Sequence, residues 1–126
     1  MEHEVVTPTF NRVDERGTFI EALNSGHWES LICGRMKKHA AMGNHYHKKT
    51  EVFFFLTDGK AHVATVHVES GERDNFTLAA NRGVILRTWE SHTIRFLEDS
   101  SFIMLKSLRY TPDDTDTFHY PVEQSA

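Results

Sequence analysis

Cysteine and proline are scarce in this sequence, and long apolar runs are missing. The single cysteine, Cys33, excludes an internal disulfide and any zinc site built from several thiolates. Its apolar surroundings in residues 30–33 predict a small buried side chain. No apolar stretch approaches the roughly 20 residues that a membrane-spanning helix needs. The acidic, polar residues 1–4 also lack the features of a secretory signal. We therefore expect a soluble, cytoplasmic protein that is held together by packing.

An excess of charge of one sign is also absent. The formal net charge is -4, and both signs are spread along the 126 residues. This pattern argues against nucleic acid or a membrane surface as a partner. The length suits one domain over residues 1–126. We expect its core over about residues 10–110 and a polar C-terminal tail over 111–126 that wraps the surface without joining a sheet.

The hydrophobic pattern is typical of an all-β protein. Short apolar or alternating runs are separated by Gly, Asp, Asn and Ser, and there is almost no helical periodicity. The predicted strands cover residues 16–23, 29–36, 44–47, 51–57, 60–68, 75–79, 83–88, 92–97 and 101–108. Asp58-Gly59 suits a tight hairpin, and residues 69–72 suit a second turn. Many short strands at this spacing predict a sandwich or a barrel-like jelly roll.

One predicted strand is apolar on both faces. Phe53 and Phe55 are expected to line the barrel interior, and Val52, Phe54 and Leu56 then project from the opposite face. That second apolar face needs cover from another sheet or another subunit. We therefore predict a homodimer that buries it.

Histidine is abundant, with nine residues, and four side chains suggest a metal site. His45 and His47 lie two apart on a predicted strand, so both rings project from the same face. Glu51 lies four residues further on, an even offset that returns its carboxylate to that face if the strand resumes. His92 opens a later strand that could deliver a fourth ligand. Three imidazoles and a carboxylate suit a divalent transition metal ion such as Zn, Fe, Mn, Ni or Co.

These residues also resemble a known sequence motif. Gly43-Asn44-His45-Tyr46-His47, with Glu51 and then Gly59, is similar to the first cupin motif, and the segment from Gly83 to His92 is similar to the second. The second segment lacks the usual proline. The resemblance implies a double-stranded β-helix, the cupin jelly roll, with the same four metal ligands.

A longer resemblance narrows the branch of the cupins. The segments 14–21, 43–46 and 110–113 are similar in order and spacing to dTDP-4-dehydrorhamnose 3,5-epimerases and sugar-nucleotide ketoisomerases, and the cupin domain of capsular-sugar reductases is also similar. The resemblance implies that Arg16 and Phe19 contact a nucleotide and that His45 is a catalytic base. The epimerases place a catalytic Tyr where this chain has Met104, and they work without metal. A standard 3,5-epimerase is therefore not expected.

The first functional hypothesis is a metal-assisted isomerase or epimerase that acts on a carbonyl-bearing small molecule such as a nucleotide sugar. Glu51, His39 or His62 could move the proton, and Arg35 and Arg87 could receive an anionic substrate. The alternatives are a metal-dependent oxygenase or polyketide-type cyclase, and a non-catalytic small-molecule-binding module. His3, near the start of the chain, is expected to be exposed.

Overall fold

The computed structural model describes residues 3–122. Within that range the chain forms eleven strands: β1 (Phe10–Asp14), β2 (Gly17–Glu21), β3 (Ser30–Met36), β4 (Ala41–Tyr46), β5 (Val52–Asp58), β6 (Lys60–His67), β7 (Arg73–Ala79), β8 (Arg82–Leu86), β9 (Glu90–Phe96), β10 (Ser100–Lys106) and β11 (Phe118–His119). The nine predicted strands are confirmed with small changes at their ends. Among the described residues there is no helix of the length and apolarity needed to span a membrane.

The strands form two main antiparallel sheets and a small hairpin. One sheet has the order β3-β10-β5-β8, and the other has the order β11-β4-β9-β6-β7. β1 and β2 pair only with each other. From β3 to β11, strands that follow one another in sequence lie in different sheets, except for the β6–β7 hairpin. The chain therefore winds around a shared interior. The predicted all-β jelly roll is confirmed.

Only one of the two predicted turns joins paired strands. The turn at residues 69–72 connects β6 with β7, which pair as an antiparallel hairpin. The predicted hairpin at Asp58-Gly59 is wrong, because β5 and β6 lie in different sheets. Gly59 has a φ of 96°, and a Cβ at this position would collide with Ser100. This turn is therefore a tight corner between the sheets that only glycine fits.

The core lies on the opposite face of β5 from the one that the sequence predicts. Val52, Phe54 and Leu56 are fully buried between the sheets, where Phe54 packs against Phe96 with ring centroids 6.4 Å apart. Phe53 projects from the other face, and its ring centroid lies 6.4 Å from that of Trp28. The face assignment was wrong because the turn before β5 shifts the alternation by one residue. β5 therefore gives no argument for the predicted homodimer.

The C-terminal tail takes part in the fold. Phe118–His119 form β11, which pairs with β4, so the prediction that the tail joins no sheet is wrong. Val122 is buried in a small cluster with Ala64 and Val66 on the outer face of β6. The last residues of the predicted tail, 123–126, lie outside the described residues.

The environment of Cys33 also differs from the expectation. Ile32 and Met36 of β3 pack against the core, and Cys33 points to the other face and is exposed. The prediction of a buried thiol failed because β3 is covered on one face only.

Candidate functional site

A β-bulge in β4 sets the direction of the first two histidines. The pairing of β4 with β9 shifts register between Gly43 and His45, and Asn44 is the extra residue. Gly43 has a φ of 109°, and a Cβ there would collide with the carbonyl oxygen of His92. Met42 packs against the core before the bulge, so the extra residue turns the odd-numbered side chains inward after it. His45 then lies directly opposite His92.

A second change of alternation follows His47. The carboxylate of Asp116 accepts hydrogen bonds from the backbone N–H groups of Lys48, Lys49 and Thr50, each at 2.9 Å, and from the Thr50 hydroxyl at 2.8 Å. Burial raises the pKa of Asp116, but the hydrogen bonds from these N–H and O–H donors together outweigh burial. The pKa of Asp116 therefore lies below its usual value. The carboxylate therefore stays charged and fixes an irregular turn between β4 and β5.

Three imidazoles converge inside the barrel as a result. His45, His47 and His92 each offer a ring nitrogen, and these nitrogens all lie within 4.8 Å of one another. They face a cavity of about 110 Å³, which we call the inner cavity. Its lining is Met42, Gly43, His45, His47, Val52, His92, Ile94, Met104 and Lys106. The walls are therefore mostly apolar around three ring nitrogens.

The surroundings keep these imidazoles neutral at neutral pH. Burial, reinforced by the nearby His47 and Lys106, lowers the pKa of His45 to about 4. Burial together with the other two histidines lowers the pKa of His92 to about 3. Burial also lowers the pKa of His47, although the carbonyl of Asp116 opposes the shift. Neutral imidazoles have free lone pairs, which both a metal ion and a transferable proton require.

The hydrogen bonds of the rings fit a metal site. Nδ1 of His47 lies 2.7 Å from the carbonyl oxygen of Asp116 and must donate to it, so Nε2 keeps its lone pair. Such an outer contact is typical of histidines that bind metal. Nδ1 of His92 is buried and has no hydrogen-bond partner within residues 3–122. The donor set fits a divalent ion that accepts imidazole, with further coordination positions open.

The structure does not bring Glu51 to the three histidines. Glu51 is exposed, and it directly precedes Val52, which faces the core. Its backbone N–H donates to the Ser107 hydroxyl at 2.8 Å, which anchors it at the start of β5. The even spacing from His47 misled because the turn fixed by Asp116 interrupts the strand. The predicted carboxylate ligand and base therefore points away from the inner cavity.

The two predicted anion-binding arginines also lie elsewhere. Arg35 is exposed and pairs with Ser101 near the opposite end of β10 from Lys106. Arg87 is exposed, and its backbone N–H lies 3.3 Å from a Glu90 carboxylate oxygen. Neither arginine lines the inner cavity. Sequence spacing alone could not show which end of each strand meets the histidines.

The two residues that resemble a nucleotide-binding segment lie on the separate hairpin of β1 and β2. Arg16 donates to Asp14 at 2.8 Å, and Phe19 is 56 % exposed beneath the guanidinium of Arg12. Both residues line a shallow cavity of about 220 Å³ on this hairpin. The structure therefore places them together, but outside the inner cavity.

The remaining histidines are not part of the cluster. His39 is exposed, and His62 lies on the outer face of β6, 3.3 Å from Asn75. The prediction that His3 is exposed is wrong. Its ring is buried, with Nδ1 2.7 Å from an Asp74 carboxylate oxygen and Nε2 2.7 Å from a Glu90 carboxylate oxygen. The hydrogen bond to Glu90 raises the pKa of His3 despite its burial.

Sequence reasoning missed two residues of this site. Asp116 lies in the predicted polar tail, and nothing in the sequence indicated that this tail would contact the turn after His47. Lys106 lies near the end of the predicted strand 101–108, and no motif surrounds it. The even spacing of Met104 and Lys106 was the one available signal, since it puts both side chains on one face of β10.

We expect Asp116→Ala to destabilise the protein and loosen the turn before β5. It leaves three backbone N–H groups without their acceptor, and the loss should be about 2 kcal/mol or more. Asp113→Ala is the matched control, because Asp113 is exposed on the same tail. Denaturant unfolding measures both variants, and equal stability would contradict the role of Asp116.

The metal-free protein should lose stability as the pH falls from about 7 to about 5. In the folded protein the pKa values of His45 and His92 are lowered to about 4 and about 3, whereas a histidine of the unfolded chain has a pKa of about 6.5. Between these values the unfolded chain binds protons at these two histidines and the folded protein does not. The fully buried imidazole of His92 contributes a loss of about 2 kcal/mol over this range, and the half-buried imidazole of His45 contributes less because solvent screens it. The raised pKa of His3 acts in the opposite direction. Chemical denaturation across this range tests the sign, and a gain in stability would contradict neutral, buried imidazoles.

Residues 12–118 match the family model described as the polysaccharide biosynthesis C-terminal domain. A comparison with curated protein sequences finds no significant match.

Several solved structures share the fold. The capsular polysaccharide assembling protein CapF from Staphylococcus aureus is 24 % identical with a TM-score of 0.71, and the alignment covers 90 % of this chain and 32 % of CapF. This chain thus spans about a third of CapF. The rmlC epimerase of Mycobacterium tuberculosis is 20 % identical with a TM-score of 0.75, over 90 % of this chain and 70 % of the epimerase. A 3,4-ketoisomerase from Helicobacter canadensis is 16 % identical with a TM-score of 0.76, over 94 % and 90 % of the two chains.

These neighbours share the fold that the sequence resemblance implies. Since the family model matches most of the sequence, the chain belongs to the family of polysaccharide biosynthesis C-terminal domains.

Proposed function

We propose that this domain transfers a proton next to a carbonyl group of a nucleotide sugar, as an isomerase or epimerase. The observation that carries the proposal is the convergence of His45, His47 and His92 as neutral imidazoles in an apolar cavity. A dTDP-4-dehydrorhamnose 3,5-epimerase and a 3,4-ketoisomerase are among the proteins with this fold, which supports the same class of reaction.

The proposal includes a divalent transition metal ion held by the same three histidines. Such an ion would polarise a substrate carbonyl and stabilise the negative charge that forms on its oxygen. The chain itself orients the ligand set, since Asp116 fixes the ring of His47 and the bulge at Gly43 sets His45 opposite His92. The apolar walls limit the access of water.

A second form of the same reaction needs no metal. Lys106 lines the inner cavity, and its positive charge opposes the binding of a cation beside it. In this form His45, whose pKa is lowered to about 4 mainly by burial, is a neutral imidazole that can accept a proton. Metal analysis of the purified protein separates the two forms.

We expect His47→Ala and His92→Ala each to weaken zinc binding by at least ~10-fold, since changes around a metal site already cost ~10- to 100-fold. Glu51→Gln should bind zinc like the wild type, because Glu51 is exposed and outside the cluster. His27→Ala is the histidine control, as its side chain is 84 % exposed. Equilibrium dialysis measures all four. Weaker zinc binding by Glu51→Gln would instead show that the Glu51 carboxylate is a metal ligand.

The activity itself is tested by hydrogen exchange. Wild-type protein incubated with dTDP-4-dehydrorhamnose in D₂O should replace a proton next to the carbonyl by deuterium, which NMR detects. His45→Ala should slow the exchange at least ~100-fold, as expected for loss of a group that moves the proton or holds the metal. His27→Ala should exchange at the wild-type rate. If the wild type exchanges nothing with or without added zinc, the domain does not isomerise this substrate, and a binding module becomes the better account.

A further inference from the structure

Lys106 points into the barrel at the end where the three histidines meet. In the pairing of β10 with β5, Lys106 lies directly opposite Val52. Directly opposed residues on antiparallel strands share a face of the sheet, and Val52 is buried in the core. The lysine side chain therefore projects inward, next to Met104 on the same face.

The same lysine borders a second space on the outer side of the cluster. This outer cavity, of about 210 Å³, is lined by His47 and Lys106, by Arg109 just after β10, and by residues of the C-terminal tail such as Asp114. His47 and Lys106 are common to both cavities. A ligand whose reacting end lies in the inner cavity would extend into the outer one past these two side chains.

Unlike Lys49 and Arg109, which line the same outer cavity, Lys106 has no carboxylate partner among residues 3–122. Lys49 pairs with Asp114 at 2.9 Å, and Arg109 lies 3.9 Å from Glu29. Within residues 3–122, by contrast, no carboxylate forms an ion pair or hydrogen bond with the ammonium of Lys106, and the residue as a whole is partly buried. An unpaired charge beside neutral imidazoles and apolar walls costs stability. A bound anion would supply the missing partner.

We propose that Lys106 is a ligand-binding residue that holds an anionic oxygen of a small molecule between its ammonium group and the three histidines. The inference rests on the proposed function. In that reaction the anionic oxygen is the carbonyl oxygen of the substrate, which becomes negatively charged when the carbon next to the carbonyl group loses its proton. The inner cavity is smaller than the roughly 300–1,000 Å³ of typical ligand sites, so it admits only the reacting end of the molecule. Lys106 takes the role that the sequence assigned to Arg35 and Arg87.

The test uses oxalate, a small planar dianion, and titrates it into the whole protein in zinc-loaded and chelator-treated forms. Lys106→Met should bind oxalate at least ~10-fold more weakly than the wild type in both forms, a difference of ~1.4 kcal/mol. Lys106→Arg should retain most of the affinity. Lys60→Met is the matched control, because Lys60 is exposed and lines neither cavity. Circular dichroism confirms that each variant is folded.

The same variants report on the metal separately. Lys106→Met should bind zinc at least as tightly as the wild type, because a repelling charge is removed from beside the histidines. If the wild type binds no zinc, the metal in the proposed function is contradicted, and the chelator-treated titration alone decides the role of Lys106. Equal oxalate affinity of Lys106→Met and wild type would overturn the inference, as would a wild type that binds no oxalate in either form.

Discussion

The hydrogen bonds between the Asp116 carboxylate and the turn at residues 48–50 decide which side chains enter the barrel. Side chains alternate regularly from His45 to His47 before the turn and along β5 after it, but the turn changes the phase between them. The bulge at Gly43 makes the opposite change at the start of the histidine pair. Between these two points the odd-numbered residues His45 and His47 face inward. Before the bulge and after the turn the even-numbered residues face inward, as Met42 and Val52 do. A segment of the C-terminal tail therefore determines the composition of the site.

This dependence explains what the sequence could and could not predict. Hydrophobic alternation is a local property, so it located nine strands and the shared face of His45 and His47. His92 was found because a neighbouring strand was expected after an apolar run. Glu51 and the faces of β5 were misassigned because a phase change by an irregular turn leaves no periodic signal, and its cause, Asp116, lies more than 60 residues away. Lys106 was missed because its position follows from strand register, which only the fold determines.

The electrostatic character of the site follows from the same arrangement. Because Glu51 points outward, the inner cavity contains no carboxylate among its lining residues and holds three neutral imidazoles with one ammonium group. A cation bound by the imidazoles and the ammonium of Lys106 repel each other, so an anionic ligand between them stabilises both. This charge pattern suits a reaction in which negative charge develops on an oxygen, which is the common feature of sugar epimerisation and ketoisomerisation.

Two changes of strand phase bring three histidines, and not Glu51, to one site, where we propose that a metal ion binds. A crystal structure of the zinc-soaked protein, with anomalous diffraction recorded at the zinc edge, tests it most directly. We expect one anomalous peak bonded to ring nitrogens of His45, His47 and His92, with the carboxylate of Glu51 directed to solvent. A peak that Glu51 ligates, or a zinc ion bound elsewhere while the three imidazoles stay uncoordinated, would contradict it.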